Sequence, residues 1–182
     1  MQEINREIVG DLIRKLRAEA GGSATSWAKT PPNSAISYFE HKQTYADSLA
    51  DAETSLLAQA GRGVISHLIL GREHAAVVST LPGFVKLSDG ASLGAHIFGT
   101  YNNVPVIRVP EDALLGAKQG IGIWKGATNF EAPAVYAPYM PLSVTGLLPL
   151  APNPLGNMRA AAVMAAVEVL VSNYAVNFDI TA

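Results

Sequence analysis

"GIWKGATNFEAPAVYAPYMPL", Gly122 to Leu142, is the densest part of this chain in aromatic and ladder-breaking residues. It holds one tryptophan, three of the eleven prolines and two of the six tyrosines. Three uses fit such a stretch: a ligand pocket, a pair of core strands, or a surface made for another subunit. Aromatics on neighbouring strands mostly serve core or interface. No paired polar side chains accompany Trp124, Tyr136 and Tyr139, which lowers the pocket reading. Within the stretch, "IGIWKG" (121–126) and "AVYAPY" (134–139) are candidate strands, followed by "LSVTGLL" (142–148). The prolines are expected to end sheet pairing between these short strands.

Outward from this stretch the composition is unusual. Of 182 residues, 49% are hydrophobic and only 15% charged, with a formal net charge of −2. Charged residues commonly make up about a quarter of a soluble domain. A surface with so few charges is prone to association, so protein partners are expected. The length suits one domain or two small subdomains. The absence of cysteine excludes disulfides and thiolate metal sites. No apolar run approaches the roughly 20 residues of a membrane span. The charged opening "MQEINREIVGDL" is not that of a signal peptide. Lys and Arg cluster only in "RKLR" (14–17), read as the solvated end of a helix, so specific nucleic-acid binding is not expected.

Along the chain, Ile4, Ile8, Leu12 and Leu16 step by four, with Val9 and Ile13 beside them, and predict an amphipathic helix over 1–20. It opens without an N-terminal cap signal, as though entered mid-helix. "GGSATSWAKTPPNSA" (21–35) reads as a loop. A second helix is expected from about Asp47 to Ala60, broken by "GRG" (61–63). "VISHLIL" (64–70) reads as a buried strand and "REHAAVVSTL" (72–81) as a short helix closed by Pro82-Gly83. "HIFGTY" (96–101) and "VPVIRV" (104–109) flank a turn at "YNN". "NMRAAAVMAAVEVLV" (157–171) is ambiguous: alanine favours helix, four valines favour strand. Tyr174, Val176, Phe178 and Ile180 alternate, which predicts a strand with one buried face. Helices first and strands afterwards give an α+β class.

Candidate chemistry is sparse. His41, His67, His74 and His96 lack metal-site spacing, and each reads as a local structural histidine. Glu111-Asp112 could do acid–base work only from a pocket, and "PED" reads better as a turn opening. Arg62 could face a neighbouring subunit or nucleic acid, against the plainer reading of a solvated arginine at a helix stop. No catalytic residue, metal or cofactor is expected.

Three segments in order resemble the major capsid proteins of T-even-type tailed phages. "EINREIVGDL" (3–12) resembles the family's long helix. "AETSLLAQAGRGVISHLILGREHAAVVSTL" (52–81) is similar to its next helix, "RG" break, strand and short helix. Residues 98–142 resemble the segment leading to "GYKG"-like and "YAPYVPL"-like runs, here "GIWKG" and "VYAPYMPL". The resemblance implies a Hong Kong 97-type capsid fold that lacks the N-terminal arm and extended loop. It implies residues 1–40 as spine helix and first part of a peripheral subdomain, 41–146 as axial subdomain, and 147–182 as a return to the periphery. It further implies assembly with other copies into the pentamers and hexamers of a virion capsid, built in the host cytoplasm. Scaffold, portal or decoration proteins would be further partners, with neither specific nucleic acid nor membrane. The shell of a bacterial nanocompartment is the alternative, followed by a small ligand-binding or enzyme domain using the Trp124–Tyr139 region. Candidate interface residues are Arg62, Trp124, Lys125, Tyr136, Pro138, Tyr139 and Pro141.

Overall fold

The structure, a computed structural model, describes residues 2–24, 26–87, 94–150 and 153–181. In chain order the elements are α1 (Gln2–Glu19), β1 (Gly22–Ser23), β2 (Trp27–Ala28), α2 (Tyr38–Gln43), α3 (Tyr45–Ala60), β3 (His67–Gly71) and α4 (Arg72–Val78). Then come β4 (Phe84–Lys86), β5 (His96–Tyr101), β6 (Val104–Val109), β7 (Gln119–Ile123), a 3-10 turn (Asn129–Glu131), β8 (Ala134–Val144) and β9 (Leu148–Leu150). β10 (Asn153–Met158), β11 (Ala161–Val169), a second 3-10 turn (Ser172–Tyr174) and β12 (Ala175–Thr181) complete the chain. The class is α+β, as expected.

The main sheet runs β1-β12-β7-β3-β6-β5-β4, with β2 also on β12. Most neighbours are antiparallel; β3 with β6, and β12 with β1 and β2, are parallel. Both faces of its centre are covered. On one face Leu68, Leu70, Val106, Val176, Phe178 and Ile180 meet Leu49, Ala52 and Leu56 of α3 and Ala75 and Val78 of α4. On the other, Ile69, Val109 and Ile121 meet Ile13 and Leu16 of α1. Period-two alternation therefore sends successive side chains into two different cores. Gly120 is required by this packing: a Cβ there would lie 2.7 Å from the Phe178 ring.

Local signals explain most boundaries. Gly61 ends α3 in the left-handed conformation (φ 67°), with its N–H donating to the Leu57 carbonyl. Asn102 and Asn103 both have positive φ, the requirement of a tight two-residue hairpin between β5 and β6. In β12, Val176, Phe178 and Ile180 are buried as the alternation predicts, while Tyr174 sits one turn earlier.

The rest departs from expectation. The 21–35 loop contributes two short strands, and Trp27 is a core residue, its indole N–H donating to Thr44 Oγ1 at 2.9 Å. The α2 helix was not expected from periodicity, yet Ser37 and Glu40 form a reciprocal capping box around its start. β7 starts and ends earlier than the expected 121–126. β4 also lay outside the expected elements. The ambiguous 157–171 segment is β-structure. Strand β11 pairs antiparallel with β8, and its half-buried Val163, Val167 and Val169 all fall on one face. Contrary to expectation, Pro138 and Pro141 do not end strands. They lie inside one eleven-residue strand, β8, replacing the two expected at 134–139 and 142–148. Two register shifts accommodate them, and the first leaves Tyr139 without a cross-strand partner. Such bulges are where a strand tolerates residues that cannot complete a ladder.

Candidate assembly surface

The quoted stretch spans two environments. Its first part closes the body of the molecule; its second forms the outer strand of a two-stranded ribbon, β8–β11, whose far end continues into the β9–β10 pair. Between Glu131 and Glu168 the chain carries a single charged residue, Arg159. Along the ribbon many apolar side chains stay out in solvent: Tyr136, Val144 and Met164 are exposed, and Tyr139 is 89% exposed. Pro138 and Pro141 are exposed too. A two-stranded ribbon alone is at best marginally stable in water. Its inner side is held by α1. Lys15 donates to the Val167 carbonyl at 2.5 Å and pairs with Glu168 at 3.1 Å. The remaining surface is the kind that marks a protein–protein contact.

Arg62, Trp124 and Lys125 lie elsewhere, at the root of the ribbon. Arg62 is exposed to solvent at the helix stop, as the plainer reading has it, but its guanidinium also has three partners. Its guanidinium donates to Tyr174 Oη at 3.0 Å, pairs with Glu131 at 3.2 Å and lies 5.2 Å from the centre of the Trp124 ring. Trp124 packs against the core and meets Tyr174 edge-to-face at 4.6 Å between ring centres. Gly63 admits this arrangement: its φ is 87°, and a Cβ would lie 2.4 Å from Trp124 Nε1. The Lys125 side chain is exposed, while its backbone N–H donates to Ser66 Oγ at 2.9 Å. The seven candidates thus form two groups, one of three at the root and one of four along the ribbon.

The "RKLR" run is not merely solvated either. Arg17 pairs with Asp179 at 2.6 Å and donates to the Gly120 carbonyl at 3.1 Å, which docks α1 on the sheet. Glu111 and Asp112 face different arginines, Arg6 at 2.5 Å and Arg72 at 2.9 Å, so they do not converge on one substrate position.

Each histidine is engaged locally. His41 Nε2–H donates to the Ala28 carbonyl at 2.7 Å, and Ser66 Oγ lies 3.0 Å from His67 Nδ1. Burial, and then the nearby Lys125 charge, hold the His67 pKa below its ordinary value. His96 Nδ1 meets the Gly94 carbonyl at 3.0 Å. His74 is fully buried, with Nε2 donating to the Lys118 carbonyl at 3.0 Å and Nδ1 accepting from Tyr45 Oη at 2.6 Å. Burial pushes its pKa down to about 4 and the Tyr45 hydroxyl well above its ordinary range. Among the described residues no three His, Asp or Glu side chains gather as a metal site. A cavity of about 280 Å³ lies between Leu49, Glu53, Val64, Ile65, Leu68 and the Tyr101–Val104 turn. Another of about 480 Å³ lies between α1 and β11. Neither is lined by Trp124, Tyr136 or Tyr139.

No family model matches the chain. A search of curated proteins likewise returns no match. Among solved structures, a chain of Mycobacterium phage Che8 superposes over 97% of this chain and 58% of its own length, with 13% identity and a TM-score of 0.56. The fold is that of a phage chain. A chain of an E. coli prophage (10% identity, TM-score 0.39) covers 76% of this chain and 47% of its own length. The holo-SrpI encapsulin complex of Synechococcus elongatus (16% identity, TM-score 0.43) covers 71% and 48%. The present chain therefore spans little more than half the length of the phage chain whose fold it shares.

Proposed function

We propose that this chain is a structural protein of a phage shell, assembling with copies of itself into the pentamers and hexamers of a genome-enclosing capsid. The observation that carries the proposal is the β8–β11 ribbon: an arm projecting apolar, nearly uncharged side chains on a fold shared with a phage chain. Such a surface needs an equally apolar partner, and another copy of the chain presents one. A nucleic-acid partner would call for clustered Lys and Arg, which the ribbon does not have.

The ordered sequence segments support the Hong Kong 97-type form of this fold, with α1 as spine helix. The division into 1–40, 41–146 and 147–182 belongs to the same proposal. Its last segment supplies the β9–β10 pair, the ribbon's return strand and β12, and β12 is hydrogen-bonded to β7 of the middle segment. The role is structural, with assembly rather than turnover as the activity. The virion wall is the proposed location, after assembly in the host cytoplasm.

The experiment is negative-stain electron microscopy and sedimentation of the full gene product at rising concentration. Capsomer rings or closed shells are expected. Persistent monomers would overturn the proposal, and shells that package an enzyme instead of a genome would redirect it to a nanocompartment.

A further inference from the structure

The ribbon joins the body through two connections. The outgoing one runs from Trp124 through the 3-10 turn to Pro133; the returning one runs from Leu170 to Tyr174. Backbone hydrogen bonds cross between them: Trp124 N–H donates to the Tyr174 carbonyl at 2.9 Å and Leu170 N–H to the Pro133 carbonyl at 2.8 Å. One side chain from a third segment reaches both. Arg62, in the loop after α3, touches Trp124 and Glu131 on the way out and Tyr174 on the way back.

From this convergence we infer that Arg62 is a latch at the root of the ribbon, fixing the angle at which β8–β11 leaves the body. An isolated exposed ion pair contributes little. This guanidinium does more because it is planar. Its Cζ lies 5.2 Å over the Trp124 ring while Nη2 donates to Tyr174 and Nη1 pairs with Glu131, so one rigid fork serves three partners. A lysine ammonium has no flat face and no fixed fork, so the latch requires arginine and not simply positive charge. Neighbouring copies can close a shell only if the ribbon meets them at a repeatable angle. This consequence rests on the assembly proposal; the latch itself does not.

The test uses the full chain carrying Arg62→Ala, Arg62→Lys or Tyr174→Phe, read by hydrogen exchange and by electron microscopy of the assemblies. In all three variants the root amides of Trp124, Leu170 and Tyr174 should exchange several-fold faster while those of β3 and β12 keep their protection. Lysine should not rescue. Assemblies of the Arg62 variants should lose uniform curvature. Unchanged exchange at the root, or full rescue by lysine, would overturn the latch. So would an equal rise across the main sheet, which would make Arg62 a general stability residue. If the root loosens but the shells stay uniform, the control of curvature is overturned. If the root loosens and the parent protein never assembles, the latch stands and the capsid proposal fails.

Discussion

Strands β3 and β11 are both apolar in sequence, and the structure treats them oppositely. In β3, "HLILG", four of the five residues are buried; in β11, "AAVMAAVEV", none is. The reason is not hydrophobicity but covering. β3 has sheet neighbours on both edges and helices on both faces, whereas among the described residues β11 has one strand beside it and α1 near one face. Among the described residues nothing covers the outer side of the ribbon, and its apolar side chains stay exposed. Under the proposed function, body and ribbon divide the work: the body supplies stability, the ribbon association.

The sharpest way to break this division is to truncate equal-sized side chains in each. Leu70→Ala, at a fully buried site on β3, should cost about 3 kcal/mol or more, whereas Met164→Ala on the ribbon should cost under about 0.5 kcal/mol. Thermal melts of the two variants decide it, and comparable losses would merge the two regions.

Acid should weaken the body through His74. The buried His74 imidazole takes a proton only near pH 4, while in the unfolded chain it does so near 6.5. Between those values the unfolded state binds more protons, so stability falls as pH drops, by about 1.4 kcal/mol per pH unit where the difference is full. Asp179 and Glu73 oppose this depression and Arg17 adds to it. Denaturant titrations from pH 7 to pH 4 would show the slope, and His74→Leu should flatten it.

Gly120→Ala should destabilise the body by about 1–3 kcal/mol, because the new methyl meets the Phe178 ring. A chemical melt measures this; a neutral result would mean that Phe178 has room to move. The smallest effect on stability belongs to Tyr139→Asp on the ribbon, where melting should barely move while assembly is lost in sedimentation. Trp124→Ala lies between the regions. The side chain is only partly buried, so its cost should fall below the roughly 3–5 kcal/mol of a fully buried aromatic.

Much of the body was legible because its signals are local. The α3 stop at Gly61, the Asn102-Asn103 turn and the alternating β12 strand each follow from backbone preference or side-chain period over a few residues. α2 was legible too, through the Ser37–Glu40 capping box, but only to a reader looking for caps rather than periodicity. The ribbon was less so. Its alanines and valines suit helix or strand equally, and pairing with β8 decided between them. Pro138 and Pro141 read locally as strand ends, yet bulges let one long strand carry both. The sequence offered seven candidate interface residues without their division into root and ribbon. It missed Glu131 and Tyr174, whose link to Arg62 depends on two segments far apart in the chain.

By itself, the sequence determined the α+β class, most helices and turns, and a surface unusually poor in charge. These follow from short-range sterics and from composition. Only the tertiary structure decided which apolar strands are core and which are arm, because burial depends on what the rest of the chain can bring to each face. It also decided that Arg62 faces an aromatic ring, a carboxylate and a phenol at once, since those groups converge only when the two connections fold back together.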